Sequence, residues 1–167
     1  LSEKAKQAVE VVFQSSQKLV LVIEYFLNIT RIELGKMKYE MSDFDLKQMV
    51  ETVMKELGPT VESRGLTLKL ETDIAGHYPV HGDYGKLSQV FGNLLDNAMK
   101  YTKAGGITVH LARLLSGKTR LEVRDTGIGI SAEHLPNIFE EYYQVGNRQR
   151  DRNKGLGLGL AIVKRLE

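Results

Sequence analysis

The spacing of apolar residues changes several times along this chain, and each change marks an element. From Ala5 onward, Val9, Val12, Ser16, Leu19, Ile23, Phe26 and Thr30 recur at alternating steps of four and three, and Phe13, Val20, Leu27 and Leu34 add a second row one position on. A stripe that wide belongs to a helix in a four-helix bundle rather than to a two-stranded coil, and Gly35 supplies a stop. The other reading is an amphipathic helix folded back onto its own domain. Ser42 and Asp43 are N-cap candidates for a second helix, whose apolar face runs through Phe44, Leu46, Met49, Val50, Val53, Met54 and Leu57 up to Gly58-Pro59.

Beyond that point the period drops to two. Leu66, Leu68 and Leu70 alternate with Thr67, Lys69 and Glu71 as a strand, and Tyr78 to His81 form a short second one. Asp83 caps a helix running to about Tyr101. After the turn Lys103-Ala104-Gly105-Gly106, the segments Ile107 to Leu115 and Thr119 to Asp125 read as a hairpin over Ser116-Gly117-Lys118. Short helices are expected near Ala132 to Leu135, Ile138 to Tyr142 and Gly159 to Glu167. Helices grouped against a largely antiparallel sheet predict an α+β two-layer α/β sandwich with a long N-terminal helix.

Composition narrows the class. The 167 residues include no cysteine, which excludes disulfide frameworks, thiolate zinc sites and cysteine nucleophiles and fits a reducing, cytoplasmic setting. No apolar run approaches the roughly 20 residues that cross a bilayer. The start, Leu1-Ser2-Glu3-Lys4, is neither an initiator methionine nor a signal peptide, so an excised or processed fragment is expected, with membrane attachment only through regions outside it. A net charge of +2 offers no nucleic-acid footprint. The one basic cluster, Arg148, Arg150, Arg152 and Lys154, lies among glycines without interleaved aromatics and suits a small polyanion better.

Three constellations could carry chemistry. In Gln89 to Thr102, Asn93, Asn97 and Lys100 stand at i, i+4 and i+7, on one helical stripe, while Phe91, Leu94, Leu95 and Ala98 point to the core. Asparagine is a poor helix former; its amide oxygen is a hard neutral ligand for Mg²⁺ beside phosphate oxygens, and a lysine one turn on reaches the same phosphates. Two asparagines on a solvated face are the bland alternative. In Leu121 to Ala132, a strand ends on Asp125 and turns through Gly127 and Gly129. The pattern also satisfies the dinucleotide fingerprint, but a carboxylate would then sit beside a pyrophosphate, and no second parallel strand follows. A buried carboxylate there would accept a hydrogen bond from an amino group, which adenine offers and guanine does not. The third constellation, Gly155, Leu156, Gly157, Leu158 and Gly159, runs into a short helix and turns bare N–H groups toward an anion, without the lysine of a P-loop. Between the second and third lies Gln144 to Lys154, whose composition is that of a lid.

In their order and spacing these motifs resemble the ATP-binding domain shared by histidine kinases, DNA gyrase, Hsp90 and MutL, the Bergerat fold, and within it the histidine kinases. Asn93 to Asn97 with Lys100, Tyr101 and Thr102 match the N box, Asp125 to Gly129 the first glycine box, Ile138-Phe139-Glu140 the phenylalanine box and Gly155 to Gly159 the second glycine box. The resemblance implies an ATP-binding catalytic domain over 42–167 and, over 1–38, part of the dimerisation region, whose second helix Thr30 to Lys36 resembles at its end. It implies that Asp125 binds the adenine amino group, Asn97 and Asn93 hold Mg²⁺, Lys100 contacts phosphate and Tyr101 packs near the adenine or ribose. Gly127, Gly129 and Ile130 line the base pocket; Gly155, Leu156, Gly157, Leu158 and Gly159 wrap the phosphates, with Arg148 or Lys154 closing from the lid. Tyr142 and Tyr143 flank the base or the lid, or belong to the core.

Two departures shape the expected function. Where the gyrase and Hsp90 branch has a glutamate that activates water, this chain has Asn93, which cannot act as a base. The acceptor motif, a histidine followed by an acid on a helix, is missing, and His77, His81, His110 and His134 fall in strands and loops. The expectation is a protein-histidine kinase module that transfers the ATP γ-phosphate to a histidine-bearing dimerisation helix outside this chain and does not phosphorylate itself. A response regulator receiver domain would be its downstream partner, within a homodimeric full-length protein. The rivals are a nucleotide-binding regulator without catalysis and a serine kinase or ATPase clamp of the same superfamily.

Overall fold

The computed structural model describes residues 2–73, 76–145 and 157–166, and the chain divides into two compact units, Leu1–Lys38 and Tyr39–Glu167. The first is one helix, α1 (Glu3–Glu33), opened by Ser2, whose hydroxyl accepts from the Ala5 N–H, and closed at Gly35, where φ is +61°. Val9, Val12, Leu19, Ile23 and Phe26 of its seam are all exposed.

In the second unit the order is β1 (Met41–Asp45), α2 (Leu46–Ser63), β2 (Thr67–Thr72), β3 (Pro79–Asp83), α3 (Tyr84–Tyr101), β4 (Gly106–Arg113), β5 (Thr119–Asp125) and, after a single 3₁₀ turn at Leu135–Asn137, α4 (Gly159–Leu166). β1 and β3 form an antiparallel ribbon; β2, β4 and β5 form a sheet in that order, with β2–β4 parallel and β4–β5 antiparallel. Leu68, Leu70, Val109, Leu111, Leu121 and Val123 are in register on the sheet face that meets Met49 and Val50 of α2 and Phe91 and Leu95 of α3 in the core. The opposite face carries charge: Arg124 hydrogen-bonds to Glu122 and holds its carboxyl below the usual range. The result is the α+β two-layer sandwich.

Several boundaries differ from the sequence reading. Ser42, Asp43 and Phe44 lie in a strand, because β3 offers them a partner; the helix starts at Leu46, and its cap is Asp45, which accepts from the Lys47 N–H at 2.8 Å. Burial pushes the Asp45 carboxyl up, but hydrogen bonds from His77, Tyr78 and Lys47 outweigh it and leave the group below its ordinary value. α2 also runs through Gly58-Pro59 to Ser63. Burial of Val61 in the core favours that extra turn over the one backbone bond that proline forgoes. The sheet is less antiparallel than expected, since β2 pairs in parallel across the crossover that contains α3. β4 stops at Arg113, and Leu115 stands fully in solvent. Ala132 to Leu135 and Ile138 to Tyr142 form turns instead of helices, apart from that single 3₁₀ turn.

Candidate functional site

The site is built around α3. Phe91, Leu95, Ala98 and Met99 bury one face of that helix, which turns Asn93, Asn97 and Lys100 away from the core. Its N-terminus is held by Asp83, whose carboxylate accepts from the N–H groups of Lys86 and Glu40, both at 2.9 Å. Those two backbone donors hold the carboxyl below its ordinary value.

At the C-terminal end of α3 the first glycine segment is fastened to the helix. The Tyr101 carbonyl accepts from the Ile128 N–H at 3.2 Å, and Thr102, the buried polar residue of this region, places its hydroxyl 3.5 Å from Asp125 Oδ1. The same Oδ1 accepts from the Gly127 N–H at 2.8 Å. Any side chain at 127 would collide, since a Cβ would lie 2.5 Å from the Tyr101 oxygen and 2.6 Å from Asp125 Oδ1. Thr126 completes the fastening by donating to the Ala104 carbonyl at 3.1 Å and accepting from the Gly106 N–H at 3.0 Å. Among the described residues Asp125 is therefore engaged through Oδ1 alone, and it is exposed rather than buried as the sequence reading required. Gly129, at φ +68°, and Ile130, 47 % exposed, continue the turn beside it.

At the other end, the start of α4 brings Gly159, the last residue of the second glycine segment, to the amides. A Cβ on Gly159 would sit 3.7 Å from Asn93 Oδ1 and 3.8 Å from Asn97 Nδ2, so the first turn of α4 faces both asparagines across a narrow gap. Asn93 Nδ2 is buried with no hydrogen-bond partner among the described residues. An orphaned amide facing a helix start is suited to an anion, and its oxygen to a hard cation held between amide and phosphate. Among the described residues no cluster of three or more carboxylates and imidazoles offers a competing cation site. Gly157, at φ +71°, packs against the carbonyl carbon of Tyr142 and the oxygen of Tyr143, and its own carbonyl accepts from the Tyr142 N–H at 3.1 Å. Leu158 is buried. The Lys100 ammonium lies 5.0 Å from the centre of the Tyr101 ring, over its face.

Asn93, Asn97, Lys100, Tyr101, Asp125, Gly127, Gly129, Ile130, Gly157, Leu158 and Gly159 thus flank one helix, with Asp125 at one end and the α4 turn toward the other. The eight helical steps from Asn93 to Tyr101 span about 12 Å of helix axis, a separation that suits a base at one end and phosphates at the other. Arg148, Lys154, Gly155 and Leu156 lie outside the described residues. Sequence reasoning missed Thr102 and Thr126 as the residues that fasten the glycine turn, and the pairing of His134 with Tyr143. Hydroxyls and a lone imidazole carry no periodic signal.

A profile described as histidine kinase-, DNA gyrase B- and HSP90-like ATPase matches residues 82–167. Hybrid signal transduction histidine kinase L of Dictyostelium discoideum is 34 % identical over 99 % of the chain and 10 % of its own length. Sensor histidine kinase AruS of Pseudomonas aeruginosa is 36 % identical over 99 % of the chain and 17 % of its own length. Among solved structures, full-length ShkA in complex with AMPPNP superposes with a TM-score of 0.82 at 26 % identity, covering 99 % of this chain and 34 % of that one. The chain spans between a tenth and a quarter of the length of such curated relatives. No helix among the described residues is long and apolar enough to cross a membrane. By the profile match over half its length, and by likeness to kinases of this kind throughout, the chain belongs to the histidine kinase-, DNA gyrase B- and HSP90-like ATPase family, on its histidine kinase side.

Proposed function

We propose that residues 42–167 are the catalytic domain of a two-component sensor histidine kinase and residues 1–38 part of its dimerisation region. The domain binds Mg·ATP along α3 and presents the γ-phosphate to a histidine on a helix outside this chain. The observation that carries this reading is the approach of the α4 turn to Asn93 and Asn97, together with a buried Asn93 Nδ2 that has no hydrogen-bond partner among the described residues. Asp125 accepts the adenine amino group on Oδ2, and Gly127, Gly129, Ile130 and Tyr101 surround the base. The amide oxygens of Asn97 and Asn93 hold Mg²⁺, which when bound neutralises phosphate charge. Lys100 and the N–H groups from Gly155 to Gly159 hold the phosphates, joined by Arg148 or Lys154.

The protein performs no covalent step of its own; it positions and neutralises. An amide at Asn93 cannot take a proton from water, which favours transfer over hydrolysis. None of the four histidines lies on an α-helix: His77 precedes β3, His81 and His110 are in strands, and His134 is in a turn. The phosphohistidine would pass its group to the receiver domain of a response regulator. The full-length protein would be a homodimer with this domain on the cytoplasmic side, and nucleic acid is no part of its function.

The test combines binding with transfer. Calorimetry should show Mg·ATP uptake by this chain. Labelled ATP should leave the chain unlabelled but give an acid-labile label on an added kinase core that keeps its histidine helix and has a disabled ATP site. Binding without transfer would point to a non-catalytic regulator, and an acid-stable label on this chain to a serine kinase.

A further inference from the structure

The turn that leads from the first glycine segment toward the second holds a polar pair that none of these nucleotide contacts uses. His134 Nδ1 lies 2.8 Å from the Tyr143 hydroxyl, with the rings edge-on at 6.1 Å, and the imidazole is 27 % exposed. Its Nε2 lies 3.6 Å from Glu133 Oε1. A neutral imidazole protonated at Nε2 satisfies both neighbours: the Tyr143 hydroxyl donates to Nδ1, and the Nε2–H faces the carboxylate.

Tyr143 follows a residue in an unusual conformation. Tyr142 has φ +61°, the one non-glycine residue with positive φ among those described, and such a backbone persists only where its neighbours hold it. On one side the Tyr142 N–H donates to the Gly157 carbonyl at 3.1 Å; on the other, Tyr143 is anchored by His134. Glu141 adds an ion pair to Arg165 of α4 at 2.6 Å. Gly157 fits against this backbone so closely that a Cβ would stand 2.9 Å from both Tyr142 C and Tyr143 O. Two residues on, Gly159 opens α4 in front of Asn93 and Asn97. The chain of contacts from His134 to the amides is therefore continuous.

We infer that His134 is a positioning residue for the phosphate end of the site: through Tyr143 it locks the Tyr142–Tyr143 backbone against Gly157 and so fixes the start of α4 at Gly159 opposite Asn93 and Asn97. This rests on the reading of the site as one for Mg·ATP. The base end is fastened independently, by Tyr101, Thr102 and Thr126. Loosening the lock consequently weakens triphosphate binding and leaves nucleoside binding alone.

Calorimetry on the whole chain with Mg·ATP and with adenosine tests this. Tyr143→Phe removes only the hydroxyl, His134→Ala removes its acceptor, and His134→Asn returns an amide oxygen near the Nδ1 position. The first two variants should bind Mg·ATP about 3- to 10-fold more weakly, the worth of one net hydrogen bond. Both should keep wild-type affinity for adenosine, and His134→Asn should recover most of the ATP loss. Unchanged ATP affinity in both variants, or equal losses for ATP and adenosine, would overturn the inference. A wild-type chain that takes up no Mg·ATP is a separate outcome, which overturns the reading of the site and the inference with it.

Discussion

Asp125 engages the Gly127 N–H through Oδ1, and the adenine contact proposed for it falls to Oδ2, a division that makes a sharp expectation possible. Oδ1 accepts from the Gly127 N–H, so an asparagine there would keep its own oxygen on that donor and turn its NH₂ toward the base. Donor would then face donor at the adenine amino group. Asp125→Asn should weaken ATP binding by about 1–3 kcal/mol, the cost of a polar group left unpaired, without improving GTP to the level of wild-type ATP binding. Competition between ATP and GTP in calorimetry measures it; an unchanged ATP affinity would remove Asp125 from the base pocket.

Among the elements, α3 bears most of the site, and its N-cap is where its stability can be probed without touching nucleotide contacts. Asp83 ties together the start of α3, through Lys86, and the entry to β1, through Glu40. Asp83→Ala should cost about 0.5–2 kcal/mol in denaturant unfolding, whereas Asp83→Asn, also a good cap, should cost less. Because the folded carboxyl is held below its ordinary value, the charge contribution is complete above about pH 3.9 and is lost as pH falls through the lower folded value. The stability gap between wild type and Asp83→Asn should accordingly close on acidification through that window. A gap that stays constant down to pH 2 would assign the effect to shape rather than charge.

For the whole molecule, the row of Val9, Val12, Leu19, Ile23 and Phe26 stands exposed along α1. An apolar stripe of that length is expected to seek another helix, so the chain should self-associate in sedimentation experiments. Leu19→Glu with Phe26→Glu should shift it to monomer, at about 2 kcal/mol for each apolar side chain withdrawn from the contact. Nucleotide affinity should not change, since every site residue lies in the second unit. Wild-type chain that sediments as monomer would show the stripe to be inert. How much of this was legible beforehand follows from the range of each interaction. Sequence alone determined what is local: the α1 seam and its stop at Gly35, the Asp83 cap, the hairpin turn at Gly117, and the residue types of the N box and both glycine segments. Each is set within a turn or two of chain by backbone sterics, capping or side-chain period. Tertiary structure decided what depends on a distant partner. Met41–Asp45 became a strand because β3 pairs with it, although its Ser and Asp also signal a helix start; the Asp43–His81 contact in that pairing joins residues 38 apart. α2 passed through Pro59 in company with the burial of Val61, and Gly127 is obligatory because the Tyr101 carbonyl occupies the space a side chain would take. The meeting of Gly159 with Asn93 and Asn97, and the tie from His134 through Tyr143 to Gly157, arise from close packing between segments, which no spacing along the chain encodes.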